Sequence, residues 1–170
     1  MLFDATVPQL IKTLRQLSTF LDKAAAYAET KKVDPEIFLQ LRLAPDMFPL
    51  VRQVQFACDT ARVGAYRLAD RPVPPAPDTE KTIAELKARI ESTIDAISGF
   101  QAADIDPGAE RRITQPRWEG KSLSGQEFAL NHMLPNFYFH VTTTYAILRS
   151  NGVDVGKKDY LGAMPFRDPS

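Results

Sequence analysis

The sequence predicts an all-α fold, an up-down four-helix bundle with a short irregular or hairpin insertion before the fourth helix. Three observations carry this. Apolar residues recur at intervals of three and four along four long stretches, the period of a helix with one buried face. Capping residues mark the starts of two of these stretches. Between the stretches lie breaks that no helix can cross, the plainest being a proline-rich segment in the middle of the chain.

The first helix is expected over residues 6–31. Pro8 falls in its opening turn, where a missing N–H does no harm, and Leu10, Leu14, Leu17, Leu21, Ala24 and Ala28 form its inner stripe. Asp34-Pro35 reads as a cap for a short helix over EIFLQL. The second long helix is expected over residues 46–69, opening at Pro45 or Asp46, with Leu50, Val54, Ala57, Ala61 and Leu68 inside. Its sequel DRPVPPAPDT cannot continue a helix and favours an extended connection, long enough to cross between helix ends. The third helix is expected over residues 79–100, with Thr82 and Glu85 at capping-box spacing and Ile83, Leu86, Ile90, Ile94 and Ile97 on one face.

Residues 101–123 are irregular. RRITQPRWEGKSL carries a hairpin signal, with Ile113 and Trp118 flanking a Gln-Pro turn. Ser124 and Glu127 form a second capping box and open the fourth helix, residues 124–150, which Asn151-Gly152 closes with a left-handed cap. The tail DVGKKDYLGAMPFRDPS reads as a loop or single turn with exposed aromatics. No repeat is present, and 170 residues suit one domain spanning 1–170.

Composition removes several function classes. The chain has 21 basic and 21 acidic side chains and no run of one sign, so the basic stripe that nucleic-acid binding requires is missing. No apolar run approaches the ~20 residues needed to span a bilayer. The start, MLFDATVPQL, lacks the basic leader and apolar core of a secretory signal. A single cysteine, Cys58, excludes an internal disulfide and any Cys-based metal cluster. Together these point to a cytoplasmic protein.

The stretch NHMLPNFYFHVTTTYAILRS holds both histidines, His132 and His140, with Asn136 midway. On a regular helix, positions eight apart are separated by ~12 Å along the axis. A transition metal holds its nitrogens at ~2.0–2.1 Å, so the two imidazoles cannot share an ion. A 100° wheel gathers Met133, Phe137, Leu148, Leu130, Val141, Leu134 and Tyr145 into one apolar sector. His140 and Thr144 fall on its edge, Asn136 further round and His132 outside, as a partly exposed residue. His140 then reads either as a satisfied interior histidine or as part of a site shared with Asn136, whose amide is a poor ligand for a transition metal.

The order of long helices, the long connection after the second and this helix-four pattern resemble the DinB/YfiT-like superfamily. MFPLVRQVQFACDTA, LPNFYFHVTTTYAILRSNGV and GKKDYLG resemble, in combination, a branch of bacterial proteins described as a domain of unknown function. The resemblance spans essentially the whole chain. It implies a four-helix bundle, often dimeric. It also implies a divalent metal held by one histidine on helix two and a His-x-x-x-His pair on helix four, in some members with thiol-dependent transferase or isomerase activity. Carried over by position, the pair falls on Asn136 and His140. Helix two offers only Gln53.

The reading that follows is a DinB-like bundle with a degraded metal site, binding a small polar ligand or a partner protein. Gln53, Asn136, His140 and Thr144 would line the pocket, with no cofactor. Two enzyme readings stand beside it: a transferase or hydrolase in which zinc or nickel is held mainly by His140, and a cofactor-free enzyme with His140 as general base. Cys58 reads as a small buried thiol, and Asp59 with Arg62 as a surface pair or an anchor for the tail through Lys157 or Lys158. Trp118, Tyr138, Tyr160 and Phe166 read as packing or as a pocket rim. No phosphate-binding glycine loop or Ser-His-Asp set can be assembled. Phe128 and Phe139, expected opposite the main sector of helix four, suggest a homodimer.

Overall fold

Burial of the four apolar stripes against one another sets the architecture of the computed structural model, which describes residues 1–168. Along α1, Val7–Lys31, all six stripe residues are fully buried. The same holds for the stripe of α2, Leu50–Leu68, and nearly so for that of α3, Ile83–Ser98. The fourth helix, α4, spans residues 125–150 in three pieces: Gly125–Phe128, a π turn Ala129–Met133, and Leu134–Ser150. Phe20 and Phe137 are the largest fully buried side chains of the core. The all-α bundle expected from the periodicity is present.

Helix directions follow from the residues that face each other. Asp59 faces Arg89 and Tyr66 faces Ala96, so α2 and α3 run parallel. Gln53 faces His140 and Thr60 faces Asn136, so α4 runs against α2. Phe20 meets Tyr145 at 5.9 Å, and Tyr27 lies beside Gly152, so α1 runs with α4. The order is therefore up, down, down, up. Up-down alternation is interrupted once, because residues 69–82 carry the chain back along the bundle.

This crossover contains four prolines, and α2 and α3 supply the polar contacts that a regular backbone would otherwise make. Arg62 donates to the Pro74 carbonyl and Arg89 to that of Pro77. Arg89 also pairs with Asp59 and Asp78 at 2.9 Å and with Glu80 at 3.0 Å. Arg52 reaches Asp78, and Gln55 donates to Glu80 at 2.7 Å. Asp59 and Arg62 thus belong to a largely buried network, not a surface pair, and the tail is held by Lys23 on Asp159 at 2.7 Å.

Several boundaries differ from the sequence reading. Helix α2 begins at Leu50, not near 46, because Pro49 is extended at ψ 165 and a residue before proline disfavours the helical region. Thr82 is the N-cap of α3, with both bonds of its capping box to Glu85, so residues 79–82 belong to the crossover. The hairpin forms between β1, Arg112–Thr114, and β2, Ser122–Ser124, with Ile113 opposite Leu123; Trp118 lies in the turn between them. Gly152, at φ +90, closes α4 as expected, with Val153 N–H on the Leu148 carbonyl at 3.1 Å. The tail makes one turn, Lys157–Leu161, whose Tyr160 stacks on Phe20, while Phe166 is exposed. Pro169 and Ser170 lie outside the described residues.

The π turn of α4 alters the wheel. In a regular helix the ring of Pro135 would clash with the Asn131 carbonyl. The turn before it is instead widened, with Leu134 N–H reaching the Ala129 carbonyl five residues back. Residues before the bulge are rotated relative to those after it. Leu130, expected inside, is 47% exposed, whereas Phe128 is buried under Trp118 and His132. Phe128 is therefore covered within its own chain, and only Phe139, at 53% exposure, remains as an open apolar side chain of the expected pair. Among the described residues no helix is long and apolar enough to cross a membrane.

Candidate functional site

Side by side and antiparallel, α2 and α4 leave a cleft of about 320 Å³ along their seam. This lies at the lower end of small-molecule sites. Phe56, Thr60 and Arg67, at helical spacing, line its α2 wall, and His132, Asn136 and His140 its α4 wall. The hairpin turn closes one end with Gln115 and Arg117. Gly64 permits the close approach of the two helices, since a Cβ there would run into the side chain of Met133.

His140 sits at one end, against Phe56 and Phe139. Its Nδ1 is 2.8 Å from Oε1 of Gln53, which is 1% exposed. Nε2 of Gln53 donates to the Phe48 carbonyl at 3.0 Å. That bond fixes which way the amide points: an oxygen there would face another oxygen. Gln53 therefore accepts, Nδ1 of His140 donates, and Nε2 of His140 is left as the ring's free acceptor. Burial pushes the imidazole pKa down to about 4, so the ring is neutral near pH 7.

The structure separates the residues expected to share this site. Asn136 and His140 line the cleft, but Asn136 donates to the Thr60 hydroxyl at 2.8 Å and not to His140. Gln53 and Thr144 stand behind the wall. Gln53 orients the imidazole, and Thr144, fully buried, donates its hydroxyl to the His140 carbonyl at 3.0 Å.

His132, placed outside the site by the regular wheel, is turned into the cleft by the π turn. It stacks on Phe128 at 5.5 Å, and its Nε2 accepts from Arg117 at 2.8 Å. Its Nδ1 must then carry the proton, and this atom is buried without a partner. Burial lowers the pKa of His132, and Arg117 and Arg67 lower it further. Arg67, Arg117, Thr60 and Phe56 escaped the sequence reading. The α2 members were legible as a stripe beside Gln53 at three- and four-residue spacing; Arg117 is brought in by the hairpin and left no local signal.

The family model described as "Domain of unknown function (DUF1993)" matches residues 2–161. The chain belongs to this family. The DUF1993 chain is also 54% identical to a DinB family member protein from Shewanella denitrificans, whose crystal structure was determined at 1.83 Å resolution. The likeness covers 99% of this chain and 96% of the other, with a TM-score of 0.96. No curated protein matches the chain.

A DinB-like fold raises the divalent metal implied by the resemblance, and the DUF1993 cleft does not fit one. Both polar atoms of the Gln53 amide are committed, to His140 and to Phe48. Asp59 lines the cleft, but its charge is already balanced by Arg62 and Arg89, both on Oδ1, which leaves Oδ2 a poor anchor for a dication. What remains beside His140 is one imidazole nitrogen and one carboxamide, a neutral and weak donor set for a dication. Among the described residues no three His, Cys, Asp or Glu side chains are grouped to hold a metal ion. With its pKa near 4, His140 is also a feeble general base at neutral pH. Cys58 is fully buried and burial pushes its thiol up to about 12, which suits packing and not nucleophilic chemistry.

Proposed function

We propose that this chain is a small-molecule-binding protein on a DinB-like scaffold, and that the α2–α4 cleft is its ligand site. The carrying observation is the locked imidazole of His140, neutral and with Nε2 as its free acceptor. A half-buried, oriented acceptor favours a ligand that brings an O–H or N–H, because a ligand that covers it without one leaves the acceptor unpaired. Asn136 supplies a second polar group one turn away, and Phe56 an apolar surface between them. This is the usual composition of a small-molecule pocket, mostly apolar with a few placed polar groups.

A side-chain NMR screen of small amides, alcohols and acids tests the reading. Hits are expected to shift the His140 ring nitrogens and the Asn136 amide, and to lose binding in His140→Ala. Hits that all map elsewhere contradict it. The homodimer is a separate part of the proposal and rests on exposed Phe139 and Phe48, which flank the cleft mouth. Sedimentation velocity showing a monomer at tens of micromolar would remove it.

A further inference from the structure

Arg52, Arg62, Arg71, Arg89, Arg111 and Arg149 each form an ion pair, and Arg15, Arg42, Arg112 and Arg167, unpaired among the described residues, are exposed and lie outside the cleft. Arg67 and Arg117 are unpaired and share one cavity. Both line the α2–α4 cleft, and among the described residues neither has a carboxylate within ion-pair distance. Arg67 comes from the last turn of α2, and Arg117 from the turn Pro116–Trp118 between the hairpin strands. The negative end of the α2 dipole accounts for one cation at this place. It gives no reason for a second, brought over by a separate element. Burial lowers the pKa of Arg67 and the charge of Arg117 lowers it further, as expected for like charges facing each other without a counter-ion. His132 adds no charge here, since its Nε2 accepts from Arg117. Asp59, the acid of the cleft wall, is already balanced by Arg62 and Arg89.

We propose that this end of the cleft is an anion subsite in which Arg67 and Arg117 hold an oxyanion head group, so that the cleft takes a small organic acid with an apolar body. Guanidinium forks suit a carboxylate or a phosphate monoester alike. From Thr60 to Arg67 the α2 wall rises ~10 Å, so a short chain separates the two polar ends. Val63 and Gly64 line that interval, and Phe56 lies beyond Thr60 toward His140. The acid end binds the arginines, and the opposite end meets Asn136 and His140. This inference rests on the cleft being a small-molecule site.

The test is calorimetric and NMR titration of the full untagged chain with octanoate, octyl phosphate, octanol and octylammonium below their aggregation limits. Inorganic phosphate and acetamide are run alongside. At least one octyl anion should bind about tenfold or more tightly than octanol or octylammonium and shift the Nε–H signals of Arg67 and Arg117. Arg67→Gln and Arg117→Gln should each remove most of that preference, weakening the anions far more than octanol. Octanoate against octyl phosphate identifies the head group. Octanol binding as tightly as both anions, or a preference that survives both substitutions, overturns the anion subsite. Inorganic phosphate binding as tightly as octyl phosphate overturns the apolar body. If acetamide shifts His140 and Asn136 while no anion shifts the arginines, the subsite falls and the ligand cleft stands. If no probe perturbs either end, both fall.

Discussion

Gln53 holds His140 in a single tautomer: its Oε1 lies 2.8 Å from the ring Nδ1, and its amide nitrogen is tied to the Phe48 carbonyl at 3.0 Å. Gln53→Leu should therefore strand the imidazole N–H and the carbonyl together. The expected loss is about 1–3 kcal/mol in urea unfolding, the usual cost of buried polar groups left unpaired. Gln53→Glu should instead raise the His140 pKa, because a carboxylate would replace the amide beside the ring. Histidine NMR titration checks the second outcome.

His140 also gives the protein a pH dependence of definite sign. Burial holds its folded pKa near 4, below the ordinary value of 6.5. Between these values the unfolded chain takes up a proton that the folded chain refuses. Stability is thus expected to fall as pH drops from about 6.5 toward 4. His140→Gln should flatten this slope in urea midpoints measured across the range. It should not abolish it, because His132 is shifted in the same direction.

Gly64 and Met133 set the spacing of the cleft walls. A Cβ at Gly64 must displace the fully buried Met133 side chain. Gly64→Ala should destabilise by about 1–3 kcal/mol through overpacking, partly offset by a helix-propensity gain of up to ~1 kcal/mol. In a Met133→Ala background the same substitution should become neutral or stabilising. Thermal or urea unfolding of the four proteins in that cycle checks the coupling.

Arg89 holds the proline crossover in place through Asp59, Asp78, Glu80 and the Pro77 carbonyl. Arg89→Met should leave those acids without their shared cation and cost about 2–3 kcal/mol, less than a fully buried pair because Asp59 and Asp78 keep some solvent. Limited proteolysis should then cut first within residues 71–81.

How far the sequence announced all this depends on the range of each cause. The stripes of α1, α2 and α3 were legible because burial repeats with the helical period, and the boxes at Thr82 and Ser124 because capping is local. The phase of α4 was not, because a 100° wheel assumes a regular helix. Pro135, inside a stretch expected to be one continuous helix, was the sign that one turn must widen, and with it His132 entered the cleft and Leu130 left the core. Asp59 and Arg62 looked like a local pair because their third partner, Arg89, lies on another helix. The meeting of Arg67 with Arg117 depends on where the hairpin folds back.

Metal content of the native protein, purified without a metal-affinity tag and compared with His140→Ala by mass spectrometry, tests most directly whether the His140 cleft is a ligand pocket and not a metal centre. Substoichiometric zinc and nickel are expected in both proteins, unchanged by the substitution. A full equivalent of either metal in the native protein, lost in His140→Ala, would contradict it.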